Sequence, residues 1–194
     1  PGTYNLRLVY FENAGDAAVE LFAAPGSWTT FGATNTWRLV GDVAHGGLGD
    51  SDQGTLWREL GFNGVGWSSG RAELGYGDGG EATVTTYIDT DPTTTAVEKN
   101  LTTYFRRSFE VANPSQYTGL NVRMRYDDGA VVYLNGTELF RTANIPSGTI
   151  TWATSASSTT PSETTYFTFA VDPGILRAGT NVLAVEIHQS SATS

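Results

Sequence analysis

The amino-acid pattern is that of an all-β protein, an antiparallel β-sandwich. Short segments of alternating apolar and polar residues recur along the chain, separated by clusters of Gly, Asp, Asn, Ser and Thr. Charged residues make up only 16% of the 194, whereas glycine (23 residues) and aromatics (12%) are plentiful, which suits short strands joined by many turns better than helices. The number of strand-like segments and the spacing of the turns then favour two packed sheets.

In chain order, Tyr4 to Glu12 and Ala17 to Ala23 read as two strands of a hairpin around the turn residues Asn13-Ala14-Gly15-Asp16. Val40 to Gln53 is glycine-rich, polar and aperiodic, so it reads as a long loop or linker. Leu56 to Val65 is the one stretch compatible with a short helical turn. Gly66 to Glu81 is a glycine-rich loop with a short strand near Arg71 to Leu74, Ala82 to Ile88 alternates, and Asp89 to Thr95 is again loop. Tyr104 to Val111 sets Phe105, Phe109 and Val111 on one face, which Arg107 interrupts.

The centre of the pattern is Val122 to Phe140. Val122, Met124 and Tyr126 alternate with Arg123 and Arg125; Asp127-Asp128-Gly129 turns the chain; Ala130 to Leu134 returns; Asn135-Gly136 turns it again into Thr137 to Phe140. Asn-Gly is a strong hairpin signal because both residues tolerate the positive φ of a type I′ turn. Ile145 to Glu163 is a Ser/Thr-rich loop containing Trp152. Tyr166 to Val171 and Asn181 to His188 close the set, placing Phe167, Phe169 and Val171, then Leu183, Val185 and Ile187, towards a core.

The net charge of −9 argues against nucleic acid or an anionic membrane as partner, since both demand clustered Lys and Arg. The lack of cysteine excludes disulfides, thiolate metal sites and a cysteine nucleophile. No apolar run is long enough to span a membrane, and Pro1 does not open a charged-then-apolar leader.

Few motifs point to chemistry. Gly66-Trp67-Ser68-Ser69-Gly70 matches the G-x-S-x-G string, but that motif needs a helix after the serine, and a glycine-rich loop follows instead; no enzyme is expected. Asp127 and Asp128 are adjacent carboxylates at a turn. They either cap the hairpin through Asx-type hydrogen bonds or converge on a hard cation such as Ca2+. Asp50, Asp52, Asp78, Asp89 and Asp91 add acidic loops without EF-hand spacing. Glu186 and His188 share a strand face but lack an evident third ligand, so they read as surface or packing residues. Trp37, Trp57 and Trp67 lie among apolar residues and belong in a core. Trp28, Trp152 and Tyr76 lie in polar loops, where an exposed ring could stack on the C–H face of a sugar. Asn100-Leu101-Thr102 and Asn135-Gly136-Thr137 fit the glycosylation string, a pattern common by chance.

The segment VRMRYDDGAVVYLNGTELF (Val122 to Phe140), with GWSSGRAELGYGDG from Gly66, TYFRRSFEV from Thr103 and LRAGTNVLAVEIHQSS from Leu176, resembles galactose-binding-domain-like jelly-roll modules of secreted bacterial proteins. YNLRLVYFENAGDAAVELF, from Tyr4, resembles the closing hairpin of a PA14 domain, and the Asp-Asp-Gly hairpin is PA14-like as well. The resemblance implies a jelly roll over 56–194, preceded by a linker at 44–55 and a PA14-type hairpin segment at 1–43. It also implies a longer parent chain, since such modules continue with a further strand after the one ending Glu-Ile-His-Gln. It implies calcium at Asp127 and Asp128, holding sugar hydroxyls; the candidate stacking rings beside it are the loop residues Trp152, Trp28 and Tyr76. The expected role is non-catalytic carbohydrate binding in a larger secreted or cell-surface protein, the partners being a polysaccharide or glycan and neighbouring domains. The competing expectation is a structural or adhesive block of an extracellular fibre, in which copies of the chain exchange strands.

Overall fold

A computed structural model describes residues 2–11, 36–41, 53–63, 67–71, 74–75, 83–84, 101–162 and 165–192. Within these residues the chain is all-β and forms a β-sandwich. The strands are β1 (Gly2–Phe11), β2 (Thr36–Gly41), β3 (Ser68–Arg71), β4 (Leu74–Gly75), β5 (Thr83–Val84), β6 (Thr102–Val111), β7 (Tyr117–Arg125), β8 (Gly129–Leu134), β9 (Thr137–Arg141), β10 (Phe167–Val171) and β11 (Gly179–His188). One sheet runs β3-β2-β6-β11-β8-β9 and the other β10-β7-β1-β4-β5.

The first sheet is antiparallel in every pairing. The second is mixed: β10 is antiparallel to β7, but β1 runs parallel to β7 and to β4, and β4 runs parallel to β5. The antiparallel β-sandwich expected from the sequence is present, with the parallel pairings of β1, β4 and β5 as a local feature that the sequence pattern did not indicate. Alternation of side chains identifies a strand but carries no information about its direction relative to a neighbour. β1 is the first strand of the expected N-terminal hairpin, and β2 also comes from the first 43 residues; they lie beside β7 and β6 respectively. The expected partner strand, Ala17 to Ala23, falls outside the described residues, as does most of the linker.

Between the sheets, Phe105, Phe109 and Val111 of β6 meet Leu120, Val122 and Met124 of β7, Val132 and Leu134 of β8, and Leu183, Val185 and Ile187 of β11. The half-buried Phe167, Phe169 and Val171 of β10 pack on the same core, with Phe169 stacked on Phe140 of β9 at 3.9 Å. Each such aliphatic or aromatic side chain, once buried, stabilises the fold by about 1.5–3 kcal/mol. Arg107 does lie in this apolar row, 9% exposed, and burial pulls its guanidinium down to about 10. The Asn135-Gly136 turn has φ of 52° and 84°, the two positive values a type I′ turn requires.

A second apolar cluster covers the outer face of the antiparallel sheet. Trp57, Tyr104, Val131, Tyr133, Ile145 and Ala184 are all buried there, roofed by the segment 53–63 and by the loop after β9. β8 is therefore buried on both faces, which accounts for its unbroken apolar run. The expected helical turn is present as a 3-10 turn at Leu56–Arg58, and its Trp57 is fully buried.

Candidate functional site

The acidic pair lies where β7 hands over to β8, joined by a cis peptide. It is not an exposed tip: Asp127 is 5% and Asp128 1% exposed. Two segments close over it. From the end of β11, the Ser190 N–H donates to Asp128 Oδ2 at 2.7 Å, and Gln189 Nε2 donates to the Asp127 carbonyl at 3.0 Å. From the loop after β9, Asn144 Nδ2 donates to the Asp128 carbonyl at 3.0 Å and to the Ser158 carbonyl at 2.7 Å. That loop is itself tied down. Thr142 exchanges hydrogen bonds with Ala130 through backbone and hydroxyl, Ala156 N–H donates to the Gln189 carbonyl at 3.0 Å, and Ser157 N–H donates to the Asn144 carbonyl at 2.8 Å.

The folded-over loop leaves a half-open depression of about 240 Å³ beside the pair. It is lined by Ala143 and Pro161, by the polar residues Asn144, Ser157, Ser158 and Thr159, and by the edge of Tyr126, which is only 5% exposed and otherwise packs in the core. Burial raises the Tyr126 phenol above its ordinary value, and the nearby Thr160 hydroxyl offsets part of that effect, so the phenol stays a neutral donor and acceptor at physiological pH. The Asn144 amide spends both its N–H groups on Asp128 and Ser158, and its Oδ1 accepts from Thr142 Oγ1 at 2.7 Å, so it sets the shape of the rim. A lining that mixes apolar surface and an aromatic edge with small hydroxyl-bearing residues is chemically suited to a polyol ring, which offers both C–H and O–H groups.

Of the other expected sugar-stacking residues, Trp152 is half-buried against the outer cluster, and its carbonyl accepts from Thr102 Oγ1 at 2.6 Å. It belongs to the loop that covers the acidic pair but does not line the depression. Trp28 and Tyr76 fall outside the described residues. The sequence marks Tyr126, Asn144, Ser157, Ser158 and Thr159 only as strand or loop. The sequence carries no sign that the loop returns to β7, because the contacts that bring it back join residues with unrelated periodicity.

Calcium fits the pair poorly. The two carboxylates are hard oxygen donors, but one oxygen of Asp128 is committed to Ser190, and both backbone carbonyls are committed to side-chain amides. Among the described residues no cluster of three or more His, Cys, Asp or Glu side chains is present, whereas calcium takes six to eight oxygens.

Glu186 and His188 are not surface residues. They lie on the covered outer face of β11, 2% and 0% exposed. His188 Nδ1 is 2.8 Å from the Thr154 carbonyl, which can only accept, so Nδ1 carries the proton; Nε2 lies 3.7 Å from Glu186 Oε2. The Tyr133 phenol donates to Glu186 Oε1, and Arg58 Nη2 lies 3.6 Å from the same oxygen with its guanidinium over the Tyr133 ring. Burial, then the Glu186 carboxylate, drive the Tyr133 phenol upward. Sealed from solvent, the group pins segment 53–63 to the sheet. Ser68 and Ser69 of the G-x-S-x-G string lie in strand β3, and the 3-10 turn at Leu56–Arg58 precedes them. Asn135 of the second glycosylation string is buried and bonded to Asn181 and Val182.

No protein-family model and no curated protein sequence matches the chain. Solved structures give loose matches. They include a β-glucuronidase from an uncultured Clostridium sp. (16% identity over 94% of this chain and 24% of that one, TM-score 0.43). A Ruminococcus gnavus β-glucuronidase in complex with D-glucaro 1,5-lactone matches at 12% identity over 92% and 23% of the two chains, TM-score 0.45. A Bifidobacterium dentium β-glucuronidase complexed with coumarin-3-O-glucuronide matches at 17% identity over 79% and 19%, TM-score 0.43. The chain therefore spans less than a quarter of the length of each of these three proteins. Likeness at this level assigns neither substrate nor activity. Among the described residues no helix is long and apolar enough to cross a membrane.

Proposed function

We propose that this chain is a non-catalytic carbohydrate-binding module of a larger secreted or cell-surface protein, and that it takes a sugar ring in the depression beside Asp127 and Asp128. The observation that supports the reading is the composition of that depression: an edge of Tyr126 with Ala143 and Pro161, together with the small polar residues Asn144, Ser157, Ser158 and Thr159. Its volume of about 240 Å³ lies just below the ~300–1,000 Å³ of pockets for drug-sized ligands, which suits one ring of a glycan, its neighbours remaining in solvent. The acidic pair serves from behind, holding the loop that forms the rim. Affinity for a single ring in so open a site is expected to be weak, with avidity supplied by repeated modules or repeated ligands.

The test is a glycan array followed by titration calorimetry of the best ligands against the native chain and Thr159→Trp. Thr159 is exposed and lines the depression, so an indole there blocks the site with little effect on the core. Binding that Thr159→Trp abolishes at unchanged melting temperature is the expected result. Binding that survives in the variant places the sugar elsewhere.

A further inference from the structure

We infer that the depression selects uncharged sugar rings and rejects uronic acids and other anionic sugars; the inference rests on the carbohydrate reading above. Among the described residues that line it, none is charged. The neighbouring arginines are turned away. Arg125, next in sequence to Tyr126, points to the opposite face of β7, its guanidinium 5.0 Å from the centre of the Tyr166 ring. Arg141 spends its guanidinium on Glu138 and on the carbonyls of Pro146 and Gly148. Among the described residues, the carboxylates of Asp127, adjacent in sequence to Tyr126, and of Asp128, whose carbonyl accepts from Asn144, stand beside the lining.

A carboxylate entering this site would lose hydration and find neither a guanidinium fork nor an ammonium in return, and a carboxylate pair would stand behind the wall. The chain as a whole, at −9, adds to that repulsion at low salt. A neutral hexose differs at one position only, carrying CH2OH where the uronic acid carries a carboxylate. Serine and threonine hydroxyls and the neutral phenol match the former and offer the latter no charge partner.

The experiment compares methyl hexopyranosides of gluco, galacto and manno configuration with their 6-carboxylate counterparts, by amide-shift titration in native chain, Thr159→Trp and Ser158→Lys. The expected result is at least about tenfold tighter binding of a neutral glycoside than of its uronide. Thr159→Trp removes that binding, and Ser158→Lys narrows the gap by setting a cation on the rim. Uronides that bind as tightly as the neutral rings, in a manner Thr159→Trp abolishes, would overturn the selectivity and leave the sugar site standing. No binding of either class, or binding indifferent to Thr159→Trp, would overturn the site itself and the selectivity with it.

Discussion

At Gly129 the requirement is space, since a Cβ built there would lie 2.6 Å from Ile145 Cδ1 and 3.1 Å from the Ala156 Cβ of the covering loop. The sequence reads Asp-Asp-Gly as turn chemistry, yet Gly129 is not among the residues of positive φ. Gly129→Ala is therefore expected to cost about 1–3 kcal/mol by overpacking, read from urea unfolding; an unchanged midpoint would show that the loop yields freely. For Asp127 and Asp128, position and pairing were legible, but burial was not, because the bonds from Gln189 and Ser190 join residues 62 apart in the chain. Chelation is expected to leave the melting temperature unchanged and sugar affinity unchanged within about twofold, since the pair alone falls well short of the six to eight oxygens calcium takes. Loss on chelation that calcium restores, and that Asp127→Asn prevents, would bring the metal back. Glu138 gives a pH-dependent check. Its hydrogen bond to Arg141 holds the carboxyl below its ordinary 4.5, so the stabilisation is present above that value and disappears as pH falls through the lowered folded value. The pair is partly exposed, so Glu138→Gln is expected to cost about 0.5 kcal/mol or less at pH 7 and nothing at pH 2.

At the scale of elements, segment 53–63 is held to the sheet by one side chain more than any other. Arg106 of β6 donates to the carbonyls of Trp57 at 3.0 Å, Glu59 at 2.9 Å and Phe62 at 3.3 Å, satisfying carbonyls at and beyond the C-terminal end of the 3-10 turn. Lysine cannot reproduce that fork. Arg106→Lys is expected to speed amide exchange across residues 55–62 while β6, β8 and β11 keep their protection; uniform loss of protection would mean the segment is integral to the fold's cooperativity. The sequence revealed the turn and the burial of Trp57. It could not reveal which face the segment covers, since an aperiodic stretch carries no register. The two-sided burial of β8, by contrast, was legible in Ala130 to Leu134, where an apolar run replaces alternation.

For the whole molecule, strand order matters most. β11, near the C-terminal end, sits between β6 and β8 and pairs with both along most of its length. The sheet is therefore incomplete until residues 179–188 have emerged, and truncation after Ala178 is expected to abolish cooperative unfolding rather than merely lower the midpoint. The sandwich and most of its later strands were readable from alternation and turns. The parallel direction of β1 and the return of the loop 142–162 to β7 were not, because both are set by contacts distant in sequence. That return creates the depression on which the functional reading depends. An amide-resolved NMR titration with neutral methyl glycosides and short neutral oligosaccharides tests it most directly. Saturable shifts centred on Tyr126, Asn144 and residues 157–159 are the expected result. Saturable shifts confined to another surface, or none with any ligand of the panel, would contradict the account.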